Sequence, residues 1–151
     1  GAGDVNGDGT DDILWRQEST GRNYLYLMID GALAKGVAIN NVSSDWLVAG
    51  LADLNGNGRA DILWRNSLSG LNWIYGFDSE GALQTSRRLN AIGDTNWFVA
   101  ALIDGNGDGT DDIVWRHSET GVNYLYLINA YQIEHIGQLN QVSDLAWQVV
   151  R

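Results

Sequence analysis

Short apolar stretches of four to eight residues, rich in Ile, Leu, Val, Tyr and Trp, alternate along the chain with clusters of Gly, Asn, Asp and Ser. No stretch sustains a 3.6-residue recurrence, so the pattern predicts β-strands joined by tight turns. The stretches also recur in a fixed order. The sequences GDVNGDGTDDILWR, ADLNGNGRADILWR and IDGNGDGTDDIVWR have their first aspartates at 4, 53 and 104, which sets the copies 49 and 51 residues apart. Each copy continues through a turn ending in glycine (STG, LSG, ETG) into an aromatic run: NYLYLMI, NWIYGF or NYLYLIN. Trp46, Trp97 and Trp147 open the segments WLVAG, WFVAA and WQVV.

Each unit therefore predicts four strands: the Trp-led segment, DILWR after the acidic loop, the aromatic run, and a weaker stretch such as LAKGVAI, LQTSRRL or YQIEHIGQL. Four strands in about 50 residues is the arithmetic of a β-propeller blade. Strands apolar on both faces suit sheets stacked blade on blade, a solenoid being the competing repeat architecture. The expectation is an all-β chain, residues 1–151 forming one repeat domain of three four-stranded blades. Its first strand is split between the C-terminal WQVV and the N-terminal residues before Asp4.

The acidic loops carry the candidate chemistry. In the first copy Asp4, Asn6, Asp8 and Asp12 stand at positions 1, 3, 5 and 9, with Thr10 at position 7. Six to eight oxygens suit Ca2+, and alternating side-chain oxygens, one backbone carbonyl and a closing carboxylate can wrap such an ion. The second copy offers Asp53, Asn55, Asn57 and Asp61 with the Arg59 carbonyl; the third offers Asp104, Asn106, Asp108 and Asp112 with that of Thr110. A single Asn-Gly or Asp-Gly loop is also an ordinary hairpin turn. The position-9 carboxylate, present in all three copies, is what a turn alone does not ask for. Up to three calcium ions per chain are expected. No Glu stands at position 12, so a full EF-hand is disfavoured.

Charge narrows the partners. With 19 Asp+Glu against 9 Lys+Arg the chain carries a formal −10, which argues against nucleic acid. Cysteine is absent, excluding disulfides and thiolate chemistry, and Pro is absent beside 19 Gly, 7 Trp and 6 Tyr. No apolar run reaches the roughly 20 residues of a spanning helix and no leader stands at the N-terminus, so a soluble, mature chain without membrane insertion is expected.

Outside the loops, the pairs Trp15–Arg16, Trp64–Arg65 and Trp115–Arg116 could stack sugars, but repetition at one strand position favours packing between blades, with each Arg held by a carboxylate or carbonyl. Tyr24, Trp73 and Tyr124 read as core aromatics, and His117 and His135 as lone surface histidines. No Ser/His/Asp order, phosphate loop or His cluster appears, and no catalytic residue is assigned.

The loops, the (I/V)-(L/V)-W-R strand, the TG turn and the YLYLM-like run resemble the calcium-binding propeller repeats of the FG-GAP and VCBS type, found in integrin α-subunits and many secreted bacterial proteins. The Trp-led strand before the loop looks most like the bacterial branch, although Asn57 replaces an aspartate and no Phe-Gly pair is present. The resemblance implies a calcium ion between the first and second strands of each blade. The expected role is a non-catalytic, lectin-like recognition module for carbohydrate or another extracellular partner, secreted into millimolar calcium. The alternatives are a self-assembling structural or engineered propeller fragment, and an accessory domain of a secreted polysaccharide-active enzyme. Three blades are too few to close a ring, so two chains are expected to join head to tail as a six-bladed homodimer.

Overall fold

Residues 1–150 are described in a computed structural model. Arg151, which closes the expected 1–151 domain, lies outside the described residues. The first sheet comprises β1 (Ala2–Gly3), β2 (Asp12–Gln17), β3 (Arg22–Ile29) and β4 (Ala32–Ile39). The second comprises β5 (Trp46–Ala52), β6 (Asp61–Asn66), β7 (Leu71–Phe77) and β8 (Leu83–Ala91). The third comprises β9 (Trp97–Ile103), β10 (Asp112–His117), β11 (Asn123–Asn129) and β12 (Gln132–Leu139). Every sheet runs in chain order with antiparallel neighbours, and no helix occurs among the described residues.

Cross-strand register gives each sheet one aromatic and one aliphatic face. Ile13 pairs with Tyr26 and Trp15 with Tyr24, while Leu14 pairs with Leu25 between them. The same order returns as Ile62/Tyr75, Leu63/Ile74 and Trp64/Trp73, and again as Ile113/Tyr126, Val114/Leu125 and Trp115/Tyr124. Because side chains alternate across a strand, the two sets point to opposite sides of their sheet. The aliphatic face of the first sheet packs on the aromatic face of the second, joining Leu14, Leu25 and Ile39 to Ile62 and Trp64. The second packs likewise on the third, joining Leu63 and Ile74 to Ile113 and Trp115. Each such side chain, fully buried, contributes about 1.5–3 kcal/mol, so these two seams hold the sheets in a row. The first strands lie together on one side: β5 touches both β1 and β9. The approach is close, since a Cβ on Gly50 would stand 2.5 Å from the Leu102 side chain.

The arginines after the tryptophans fasten the seams. Arg65 donates to the carbonyls of Gly70, Ile92 and Asp94 and to Asn72 Oδ1, and lies 5.0 Å over the ring of Trp115. Arg16 lies 5.1 Å over Trp64 and holds the carbonyls of Val42, Ser43 and Trp46. Packing between sheets, with carbonyls as the arginine's partners, is thus the role of these pairs. Gly70 makes its turn at φ 67, and a Cβ there would run into the Ile92 carbonyl.

Three expectations need correction. Trp15 is 54% exposed where Trp64 and Trp115 are 1% and 0%, and Tyr24 is 43% exposed, because no sheet covers the aromatic face of the first sheet. Trp73 and Tyr124 are half-buried at the seams. His117 is not a surface histidine: it is buried, stacks edge-on against Trp97 with centroids 5.0 Å apart, and its Nε2 lies 3.0 Å from Asp94 Oδ2. His135 is exposed as expected. Residues 147–150 form no strand within this chain.

Candidate functional site

The acidic loops occupy the same corner of each sheet, between β1 and β2, β5 and β6, and β9 and β10. Backbone curvature comes from glycines in the left-handed region, Gly7 at φ 81 and Gly9 at φ 88 in the first loop. That curvature turns successive N–H groups onto the position-1 carboxylate. Asp4 Oδ1 accepts from Gly7 N at 2.8 Å and Asp8 N at 3.1 Å, and its Oδ2 accepts from Gly9 N at 2.8 Å. Asp53 and Asp104 gather the same three donors in their loops.

Position 5 closes the next turn. Asp8 Oδ1 accepts from Thr10 N at 2.8 Å, Asn57 Oδ1 from Arg59 N at 2.9 Å and Asp108 Oδ1 from Thr110 N at 2.8 Å. Asn6 and Asn106 donate to the second oxygens of Asp8 and Asp108. These side-chain amides, and then the Thr10 and Thr110 amides, hold the Asp8 and Asp108 carboxyls below the usual carboxylate range.

Position 9 has a separate task. Asp12, Asp61 and Asp112 are fully buried. Asp12 takes the N–H groups of Val5 at 2.9 Å and Met28 at 2.8 Å, and Asp112 those of Gly105 at 3.0 Å and Ile128 at 2.8 Å. Each carboxylate thus ties its loop to the third strand, so the fold itself calls for an acid here. Asp61 accepts from Leu54 N and from the Tyr131 hydroxyl, both at 2.9 Å.

Tyr131 belongs to the next sheet and reaches this place because Gly76 stands where the other repeats have Leu27 and Leu127. A Cβ on Gly76 would collide with the Tyr131 hydroxyl. Asn55 also turns its amide to that hydroxyl instead of to Asn57. Burial, against the Leu54 amide and the Tyr131 hydroxyl, pushes the Asp61 carboxyl up from 3.8 to about 7. Burial and then the Asp61 charge push Tyr131 up to about 12. Tyr131 was missed in the sequence, although two breaks in the repeat mark it: Gly76 for Leu, and Tyr131, at φ 64, where the first repeat has Gly31.

The donor set is oxygen only, as a hard cation requires, and the loops crowd carboxylates without a salt bridge to any Lys or Arg among the described residues. A carboxylate has about four lone-pair sites, so the backbone bonds leave capacity on Asp4, Asp8 and Asp12. By donor chemistry the residues fit calcium. Among the described residues, no three His, Cys, Asp or Glu side chains converge on one point.

Neighbouring loops are bonded to each other. The Asp4 carbonyl accepts from Ala60 N at 2.6 Å and the Asp53 carbonyl from Asp111 N at 2.7 Å. Asp111 returns a carboxylate oxygen to Asp53 N at 2.9 Å.

A second feature lies at the first seam. Trp46, Trp64, Trp73 and Tyr75 wall a recess of about 320 Å3 whose polar lining includes Asn41, Ser43 and Ser86. Trp46 and Trp73 meet edge to face at 6.5 Å, and Trp73 Nε1 donates to Ser86 Oγ at 3.0 Å. Among the described residues, the buried Nε1 of Trp64 has no hydrogen-bond acceptor. The aromatic walls come from β5, β6 and β7, Ser86 from β8, and Asn41 and Ser43 from the segment between β4 and β5, so the recess gathers residues that are scattered in the sequence.

Among curated proteins, none matches this sequence. A model of the FG-GAP-like repeat matches twice, over residues 4–64 and 53–115, each match running from a loop aspartate to the tryptophan on which that repeat's arginine stacks. Three four-stranded antiparallel sheets in a row, each with its acidic loop between its first and second strands, are consistent with that repeat's propeller blades, and the chain belongs to the FG-GAP-like repeat family.

Proposed function

We propose that this chain is a non-catalytic, calcium-loaded propeller module that recognises carbohydrate outside the cell or at its surface. FG-GAP repeats suggest a propeller-type module of a kind often used in ligand recognition, and are typical of extracellular and surface proteins. The observation that carries the carbohydrate reading is the recess walled by Trp46, Trp64, Trp73 and Tyr75. Its volume lies at the low end of the roughly 300–1,000 Å3 of small-molecule pockets, the size of one sugar ring. Aromatic walls take the C–H face of a pyranose, while Asn41, Ser43 and Ser86 offer the donors and acceptors its hydroxyls need.

Calcium would be held by the oxygens of Asp4, Asn6, Asp8 and Asp12 with the Thr10 carbonyl, and by their counterparts in the other loops. Bound there, the ion would supply the positive charge that offsets crowded carboxylates. The loops lie at the ends of the first strands, away from the recess residues, so the metal supports the scaffold and the aromatics do the recognising.

A glycan array probed with and without chelator tests the reading. Binding to a defined class of terminal sugar is expected, lost in Trp73→Ala and weakened by chelation in step with stability. An array with no glycan bound by the folded, calcium-loaded protein sinks the carbohydrate reading.

A further inference from the structure

Each internal seam is made from three matched contacts. An aliphatic face meets an aromatic face; a guanidinium lies over a tryptophan, at 5.1 Å for Arg16 on Trp64 and 5.0 Å for Arg65 on Trp115; and a position-1 carbonyl accepts the position-8 N–H of the next loop. The chain displays the unused half of each contact on its two outer sheets. On the first sheet Trp15 is 54% exposed, beside Tyr24, with no guanidinium over it among the described residues. On the third, Leu139 is 39% exposed where its counterpart Ile39 is at 9%, and Val142 is 38% exposed where its counterpart Val42 is half-buried. Arg116 holds the Val142 and Asp144 carbonyls as the other arginines hold theirs, with no ring beneath it among the described residues. In the loops, Asp11 is exposed, and among the described residues it has no hydrogen-bond partner and the Asp104 carbonyl receives no donor.

We propose that these two outer faces are one interface, filled by a second copy of this chain in a head-to-tail, six-bladed ring. Arg116 of one protomer stacks on the partner's Trp15, and the Asp104 carbonyl accepts the partner's Asp11 N–H. Position 8 decides which seam the new one resembles. Asp11 matches Asp111, whose carboxylate returns a bond to the neighbouring loop, and not Ala60. The inter-copy seam therefore carries the reciprocal pair seen between the second and third sheets.

Propellers close with four to eight blades, and six is the one multiple of three in that range, so two copies close the ring with the same contact used twice. Closure lays residues 147–150 beside the partner's two-residue β1, along the edge of β2 at Trp15, Arg16 and Gln17, where β5 and β9 pair in the other sheets. It also sets Val142 and Ser143 opposite the partner's Trp15, Tyr24 and Tyr26. Those are the counterparts of the residues lining the recess at the first seam, so a further recess is complete only in the dimer. The inference rests on the repeated seam and stands whether or not a sugar binds.

Sedimentation equilibrium in calcium buffer at about 10 µM tests it, the concentration range in which a micromolar dimer is populated. The expected mass is twice 16.5 kDa. Trp15→Glu, at an exposed position in the single chain, is expected to return the mass to 16.5 kDa with an unchanged circular dichroism spectrum. Asp11→Ala, on the loop surface, is expected to weaken association roughly tenfold, the equivalent of one charged hydrogen bond, and serves if the first variant does not fold. A monomeric parent chain at that concentration, a mass other than the dimer's, or a dimer untouched by both substitutions overturns the proposal.

Discussion

Asp112 offers the sharpest separation between a metal ligand and a structural acceptor. Its carboxylate is fully buried and takes the N–H groups of Gly105 at 3.0 Å and Ile128 at 2.8 Å. In Asp112→Ala both donors lose their acceptor. A buried N–H left without a partner costs about 1–3 kcal/mol; Ile128 N is buried and belongs near the upper figure, whereas Gly105 N, nearer water, belongs near the lower. The sum is about 3–4 kcal/mol, a large share of the roughly 5–15 kcal/mol that stabilises a domain. At about 2–4 °C per kcal/mol for a chain of this size, the melting temperature should fall by roughly 10 °C. Asp112→Asn keeps one acceptor oxygen but turns an NH2 towards the other N–H, so it should sit nearer to Ala than to Asp. Asp108→Ala, which gives up an exposed bond from Asn106 and a part-buried one from Thr110 N, should lower the melting temperature less than Asp112→Ala does. All three are compared by thermal denaturation in chelator, where no calcium contributes. If Asp112→Ala melts within a degree of the parent there, and falls behind only when calcium is added, the buried carboxylate is a metal ligand and the argument for its backbone role is wrong.

Three other outcomes follow from the same loops and seams. Chelation should lower the melting temperature of the parent chain, because a cation bound only by the native state at a hundred times its Kd contributes about 2.7 kcal/mol per site; identical melts in chelator and in excess calcium would remove the metal from these loops. Asp61, raised from 3.8 to about 7 by burial, keeps its proton in the native chain after the unfolded chain has lost it. In chelator, stability should therefore fall as pH rises between about 4 and 7, by at most about 1.4 kcal/mol per pH unit, and this slope should vanish in Asp61→Asn. Tyr131→Phe removes the hydroxyl shared by Asp61 and Asn55 and should cost about 1–2 kcal/mol in urea unfolding, with no change in the denaturant slope.

Much of the fold was legible because a threefold repeat fixes strand number, order and register before any propensity is weighed. Four strands per unit and the Arg–Trp pairs as packing both follow from that periodicity. What it hid was position-specific. The backbone role of the position-9 aspartates stayed hidden because their partners, Met28 and Ile128, lie 16 residues away on another strand. His117 looked like surface because no sequence rule brings Asp94 and Trp97 around it. Tyr24 and Trp15 looked like core because the repeat treats all three copies alike, whereas exposure depends on which copy has a neighbour.

The arginine seams also decide what counts as one module in this chain. A segment cut from acidic loop to acidic loop contains Arg16 and the strand whose carbonyl at Trp46 it holds, but not the Trp64 ring under it. Such a piece would carry two raw faces and no completed seam, so a lone unit of about 50 residues has little to hold it folded. Stability in an array of this kind grows with the number of seams rather than the number of sheets, as in a one-dimensional lattice whose energy resides in its bonds. Two seams serve three sheets when the row is open, and every sheet added in line brings one more. A row bent until its ends meet gains an extra seam without a single added residue.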